Sequence, residues 1–256
     1  MGIKSNYNVI SIGTEKSGSN GYMSVSEGKN GVRIISPISH SEIEIDESNE
    51  DNLFVSDMLS IECICMLRFQ LISALSLKDI KDKTVCVYGC GAIGIGAYLE
   101  CVRQQAKTVT LVTRRKDAVN YFNMWINIEK FDGIKDYDIY IDCTGDENYI
   151  YPIINGGAVG SIFYEIGTPR SAPSIDLLLV HRKNMSIIGG HELNGIPKAR
   201  RREQCKKLSD YYFENRMFLE KIGQIFVRKH NDIEYALGDI YEHKFIEPIN
   251  VIVREK

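Results

Sequence analysis

The chain has 256 residues, 44% hydrophobic and 25% charged, the balance of a globular protein large enough for one domain or two small ones. A formal net charge of −3 gives no global field toward nucleic acid or an anionic membrane surface. No apolar run approaches the roughly 18 residues of a membrane span, and the opening MGIKSNYNVI has no apolar signal stretch, so a cytoplasmic protein is expected. Residues 1 to about 52 read as short β segments. NVISI (Asn8 to Ile12), GVRIISPI (Gly31 to Ile38) and EIEI (Glu42 to Ile45) are β-branched and bounded by Gly, Ser and Asn. Leu53 to Leu75 reads as one long helix, apolar on most faces and therefore buried on more than one side, as a connector between two lobes would be.

From Lys83 the pattern alternates. TVCVYG is a strand, Ile93 to Gln105 a helix, TVTLV a second strand and Asp117 to Trp125 a helix. YDIYIDCTG, AVGSIFYEIG and NMSIIGG are further strands. Such alternation implies an α/β protein with a doubly wound parallel sheet. Ile196 to about Gly223 reads as helix, and QIFVRKH and PINVIVREK return to strand around a short helix, Asp232 to Ile240. The seven cysteines, Cys63, Cys65, Cys86, Cys90, Cys101, Cys143 and Cys205, are scattered. None forms a C-x-x-C pair or stands beside a His at ligand spacing, so reduced core thiols are expected.

The sharpest motif is VCVYGCGAIGIGA. Gly89, Gly91 and Gly94 form G-x-G-x-x-G between an apolar strand and an apolar helix, the context a dinucleotide fingerprint requires. The first glycine allows the tight turn, the second a close approach to pyrophosphate, and the third helix–strand packing. The pyrophosphate is expected on the unpaired N–H groups at the helix start, Ala92, Ile93 and Gly94. TVTLV runs into Thr113, Arg114, Arg115 and Lys116, where an NAD site would carry an acid for the ribose 2′-hydroxyl. Two arginines suit a 2′-phosphate instead, so NADPH is the expected cofactor over NADH. Thr144 and Gly145, then Ile166 and Gly167, close later strands and are expected along the cofactor trough, with Gly190 and His191 at its nicotinamide end.

This order of parts resembles the medium-chain dehydrogenase/reductase superfamily, the relatives of zinc-type alcohol dehydrogenases, over nearly the whole length. YDIYIDCTG is similar to the family's D-V-V-I-D-A-T-G strand, INGGAVGSIFYEIG to its L-x-x-G-G-x-V-V-x-x-G segment, and LVHRKNMSIIGGH to its R-K-x-L-x-I-x-G strand. Ser60-Ile61-Glu62 stands where the family has its E-P helix, with Cys63 in place of the proline, and FVRKHNDIEYALGDI resembles the return to the substrate lobe. The resemblance implies a reduced GroES-like lobe at 1–55, a Rossmann domain with its connector helix at 56–223, and a return to the lobe at 224–256. It also implies a homodimer through the edge strand NMSIIGG. Ser11-Ile12-Gly13-Thr14-Glu15 looks like the family's C-G-T-D segment with Ile12 in the place of a zinc-ligand Cys. The G-H-E segment and the four-cysteine lobe have no counterpart, and Glu62 alone does not make a zinc site, which needs about three protein ligands.

Without zinc, a side chain or water must protonate the product, or the substrate must already be electrophilic, as an iminium or conjugated alkene is. The candidate acids are His40, Glu15, Tyr22 and Glu62. Each also has a plainer reading: a packed or surface histidine, a turn acid, a core tyrosine, and a carboxylate bonded within its helix. Tyr164 and Glu165 read as packing or cleft-wall residues. The basic run Lys198, Arg200, Arg201, Arg202, Lys206 and Lys207 and the acidic group from Glu42 to Asp51 read as solvated faces rather than nucleic-acid or cation sites. The expected function is NADPH-dependent, zinc-independent reduction of a C=O, C=N or activated C=C bond in a small molecule, biosynthetic by analogy of fold. The absent zinc ligands leave a second reading open, an NADPH-binding regulator or a subunit completed by a partner.

Overall fold

A computed structural model describes the chain apart from residues 1, 12–20, 22, 28–31, 170, 194, 232–236, 241, 243 and 255–256. It divides into two compact units, residues 1–68 with 196–256, and residues 69–195. These bounds differ from the expected 56 and 223. The helices after residue 196 belong with the first unit, where Lys198 and Arg201 pair with Asp51 and Ser209 Oγ accepts the Ser56 N–H at 3.0 Å.

The first unit opens with β1 (Ile3–Lys4), β2 (Tyr7–Ile10), β3 (Ser24–Glu27), β4 (Val32–Ser36), β5 (Glu44–Ile45) and β6 (Leu53–Ser56), then the start of α1 (Ile61–Ser76), whose residues from Phe69 on belong to the second unit. The second alternates β7 (Thr84–Tyr88), α2 (Ala92–Arg103), β8 (Thr108–Thr113), α3 (Lys116–Phe122), β9 (Ile128–Lys130), β10 (Ile139–Asp142), α4 (Glu147–Gly156), β11 (Ile162–Glu165), α5 (Leu177–Lys183) and β12 (Ser186–Gly189). The chain then returns to the first unit through α6 (Lys198–Glu214), α7 (Arg216–Phe226), β13 (Val227–His230) and β14 (Ile249–Val253).

The helix expected from Leu53 begins only after Ser60. Leu53 and Val55 are buried and Phe54 is exposed, a period of two, and they pair antiparallel with β4. Ser60 then starts the helix, its Oγ accepting from Cys63 N–H and its carbonyl from Ile64 N–H. The expected burial on several faces holds, because nearly every residue of α1 is buried. QIFVRKH is also split: α7 runs to Phe226 and the strand starts at Val227. The helix expected over 196–223 breaks at Asn215, which ends α6 and begins α7.

The six-stranded sheet of the first unit runs β13-β14-β2-β3-β4-β6. β14 pairs antiparallel with β2, so the two ends of the chain close one β lobe, as expected. The acidic and basic runs are largely exposed, as expected, and meet at one corner of this unit. Lys198 lies 2.9 Å from Asp51, Arg201 also pairs with Asp51, and Arg202 donates to the Glu50 carbonyl.

The second unit is a parallel sheet in the order β12-β11-β10-β7-β8-β9. Chain order reverses between β7 and β10, the kind of switch point beyond whose carboxyl ends open α/β sheets bind ligands. Tyr88, Tyr140, Phe163, Tyr149 and Ile153 form one buried cluster on this sheet. On α2, a Cβ at Gly96 would stand 2.5 Å from the Phe69 carbonyl, so the glycine lets α2 cross α1 backbone to backbone. The buried Glu100 side chain accepts from Gln70 Nε2 at 2.9 Å and from Arg103 and Gln104. No helix among the described residues is long and apolar enough to cross a membrane.

Candidate dinucleotide-binding site

The three fingerprint glycines meet three different surroundings. Gly89 has φ +101°, a region side chains rarely adopt, and its Cβ would meet Thr144 Cγ2 at 2.6 Å. A Cβ at Gly94 would lie 2.8 Å from the Gly89 carbonyl carbon and closer still to its oxygen, so helix and turn pack in backbone contact. Gly91 has nothing within 4 Å of a Cβ and is exposed. This leaves an open cradle above a helix start that no side chain caps, the setting in which helix N–H groups can receive an anion. Ala92 and Ile93 follow, half exposed, with their N–H groups on the first turn of α2.

The wall beyond β7 and β10 is built from two more turns. Gly145 has φ +61°, and a Cβ there would stand 2.5 Å from the Thr168 carbonyl carbon. A Cβ at Gly167 would stand 2.5 Å from Gly145 N. The turns at 89–91, 143–145 and 166–168 therefore pack as one backbone surface. Asp142, fully buried, anchors it. Its carboxyl accepts from Thr144 N at 3.1 Å, Thr144 Oγ1 at 2.7 Å and Gly145 N at 2.8 Å, and its carbonyl accepts from Ile166 N and Gly167 N, both at 2.9 Å. Gly190 N–H bonds to the Glu165 carbonyl at 2.8 Å, and a Cβ there would press on Ser76 Oγ. His191 is exposed and its Nδ1 accepts from Leu193 N–H.

At the end of β8, Thr113 Oγ1 accepts from the Cys90 thiol at 3.2 Å and from Arg115 N–H, tying this strand end to the glycine turn. Each arginine already has a carboxylate. Arg114 lies 3.1 Å from Asp146 Oδ2, with its guanidinium 4.3 Å from the Tyr149 ring centroid. Arg115 lies 2.8 Å from Asp117 Oδ2, and Asp117 is held below its ordinary range by that bond and charge. Both arginines stand at the expected strand end, but a 2′-phosphate must take them from these partners.

Of the candidate acids, Glu15 and Tyr22 lie outside the described residues, as does the Ile12 to Glu15 segment. His40 and Glu62 belong to the first unit. The His40 ring fills the space where a Gly21 side chain would be. Burial lowers its pKa, and the Arg254 charge adds to this against backbone bonds from Met23 and Val9. The imidazole is thus neutral at neutral pH. Glu62 forms an ion pair with Lys229 at 2.6 Å. Burial pushes its carboxyl up, but the Lys229 bond and charge, its own helix N–H and Ser60 outweigh this and bring it below the ordinary range. It is an ionised structural partner rather than an acid with a raised pKa.

Glu62→Gln is therefore expected to lower stability by about 1 kcal/mol at neutral pH, as a partly exposed pair should. Because the folded pKa is depressed, this contribution is complete above the unfolded value near 4.3 and is lost as pH falls through the folded one. Urea unfolding of both proteins at neutral and acid pH checks this: the two should differ at the first and converge at the second.

All seven cysteines are free, and six are buried. No group of three His, Cys, Asp or Glu side chains able to hold a metal occurs among the described residues. Sequence reasoning missed Asp142 as the anchor of the crevice and Gly96 as a packing glycine. Asp142 carried a readable signal, since an Asp two residues before a Thr and three before a Gly at a strand end is an Asx-turn pattern.

No family model matches the sequence, and no curated protein matches it. Solved structures match along the whole chain. S. aureus TarJ in complex with NADPH has a TM-score of 0.75 at 11% identity, covering 100% of this chain and 92% of that one. An alcohol dehydrogenase from Thermotoga maritima gives 0.76 at 11% identity, with 99% and 92% covered. The yhdH oxidoreductase from Salmonella enterica in complex with NADP gives 0.73 at 13%, with 99% and 91% covered. At these identities the likeness is one of fold. It is the α/β architecture with a parallel Rossmann sheet and a smaller β lobe that the resemblance implied.

Proposed function

We propose that this chain is an NADPH-dependent, zinc-independent oxidoreductase that reduces a C=O, C=N or activated C=C bond of a small molecule. The observation that carries the reading is the open cradle at Gly91, at the sheet's switch point, with Arg114 and Arg115 at the neighbouring strand end. The fold shared with an NADPH-bound and an NADP-bound protein supports it. Gly91, Ala92, Ile93 and Gly94 would hold the pyrophosphate, and Arg114 and Arg115 the 2′-phosphate. Thr144, Gly145, Ile166 and Gly167 would line the trough toward Gly190 and His191. NADPH, when bound, supplies the hydride.

The proton is a separate matter. Glu62 is committed to Lys229, and His40 is neutral. Among the described candidates neither is charged with a proton to give at neutral pH, which favours an acceptor already electrophilic, an iminium or a conjugated alkene, over a plain ketone. Zinc independence rests on Ile12 in the place of a ligand cysteine and on the occupied Glu62. Two copies would join through β12, an edge strand whose Ile188 is 38% exposed. The same features without turnover would describe an NADPH-binding regulator.

Steady-state oxidation of NADPH against aldehydes, ketones, imines and enones tests the reading. Turnover is expected with imines or enones, in protein that contains no stoichiometric zinc by elemental analysis. Tight NADPH binding without turnover on any acceptor would favour the regulator, and one zinc per chain would remove the zinc-independent mechanism.

A further inference from the structure

β10 and β11 lie side by side in parallel, and their register sets Asp142 opposite Glu165 on one face of the sheet. Asp142 is 0% exposed. Glu165 Oε1 is buried and receives no hydrogen bond from a described residue. Register and burial set the two carboxyl groups beside each other, close enough for the Asp142 charge to act on Glu165. Two carboxylates have no hydrogen to share, so a bond between them requires one proton. The Asp142 oxygens already accept from Thr144 N, Thr144 Oγ1 and Gly145 N, donors that need an acceptor and favour the ionised form there. The proton therefore belongs on Glu165.

Among the described residues, the neighbours in register and in sequence add no competing charge. Asp142 faces Tyr88 across β7, and burial keeps that phenol neutral. Cys143, next in sequence, is neutral for the same reason. On β12 the register partner of Glu165 is Gly189, which has no side chain. At the start of α4, the Asp146 carboxylate is taken by Arg114 and Asn148.

We infer that Glu165 is a neutral acid donating its proton to Asp142, and that this pair positions the Thr144–Gly145 turn on which the cofactor crevice is built. The positioning role rests on the NADPH reading above; the shared proton does not. Burial first, then the Asp142 charge, push Glu165 up to about 9. Burial pushes Asp142 up as well, with the bonds from Thr144 and Gly145 working against it. An acid whose folded pKa is raised binds a proton that the unfolded chain has released. Stability therefore falls as pH rises from the unfolded value near 4.3 to about 9, and levels off above it. Above that range Glu165 ionises, the pair repels, and the turn loses its anchor.

The test compares the wild type with Glu165→Gln, whose amide can donate to Asp142 without ionising, and Glu165→Leu, which donates nothing. Thermal midpoints without cofactor should fall by several degrees between about pH 5 and pH 9 in the wild type, and by less than half as much in the Gln variant. NADPH affinity at neutral pH should stay within about threefold for Gln and weaken about tenfold or more for Leu. Above about pH 9 it should weaken in the wild type and hold in the Gln variant. Parallel midpoint profiles for wild type and Gln overturn the shared proton. Unchanged NADPH affinity in the Leu variant overturns the positioning role. Because the midpoints need no cofactor, a protein that binds no NADPH removes the proposed function and still reads the pair. If the Gln variant does not fold, pH-dependent infrared spectra of the wild type decide. The carbonyl stretch of a protonated carboxylic acid at neutral pH supports the pair, and its absence overturns it.

Discussion

Alanine at Gly94 is expected to unfold the crevice, whereas alanine at Gly91 should leave the fold intact and remove the cofactor. A Gly94 Cβ would lie inside contact distance of the Gly89 carbonyl, backbone that cannot rotate aside. Relieving that overlap means moving α2 off β7, which costs about 3 kcal/mol or more, against a gain of about 1 kcal/mol in helix propensity. The net loss of about 2 kcal/mol corresponds to a melting midpoint roughly 4–8 °C lower. Gly91 differs on both counts. Its φ of −81° and ψ of −176° suit any residue, and its Cβ meets nothing within 4 Å. The midpoint should therefore move by no more than about 2–3 °C. The methyl group would instead stand where phosphate oxygens approach the helix N–H groups. Losing one or two charge-assisted hydrogen bonds, each worth about 1.5–3 kcal/mol, predicts an NADPH Kd about a hundredfold weaker. Scanning fluorimetry and fluorescence titration on the two variants separate these effects. Wild-type affinity in Gly91→Ala would mean that no phosphate occupies the cradle.

What could be read from sequence followed from how local the cause was. The β7–α2 unit was legible because glycine spacing, strand and helix all lie within two dozen residues. The join of the chain ends, β2 against β14, was legible only through resemblance, since nothing local in PINVIVREK names its partner. Leu53–Ser56 was misread because four apolar-rich residues before an apolar helix continue its pattern. Only the exposure of Phe54 between Leu53 and Val55 reveals a period of two. Neither α4 nor α5 was anticipated, although each begins at a capping aspartate, Asp146 and Asp176, whose side chains accept backbone N–H groups two or three residues on. The Asp142–Glu165 contact was out of reach in principle. It depends on β10 and β11 being neighbours in register, a fact of sheet order that 22 intervening residues do not encode locally. The pairing of Asp51 with Lys198 and Arg201 was hidden for the same reason, so the corner where the two solvated runs meet was not foreseen.

The arginine pair shows how structure sharpens a prediction drawn from sequence. Replacing Arg114 and Arg115 together with alanine is expected to weaken NADPH binding about a hundredfold and NADH binding by no more than about threefold. The objection from the structure is that both guanidiniums are already paired, with Asp146 and Asp117. Magnitudes answer it. The Arg114 side chain is 44% exposed and that of Asp117 59%, so these are surface pairs, worth about 0–1 kcal/mol each. A phosphate monoester carries close to two negative charges and offers three acceptor oxygens, and each charge-assisted bond to it is worth about 1.5–3 kcal/mol. Exchange of a carboxylate for the phosphate is thus favourable for either arginine. Stacking on Tyr149 keeps the Arg114 guanidinium from swinging away while its partner changes. Two results follow from competition that a pair of free arginines would not give. Asp117→Asn should tighten NADPH several-fold by releasing Arg115, and NADPH affinity should fall with added salt more steeply than NADH affinity. Parallel titrations of both coenzymes across an ionic-strength series measure all of this. A double variant that still prefers NADPH would place the extra phosphate elsewhere and leave Arg114 and Arg115 as surface ion pairs with no part in cofactor choice.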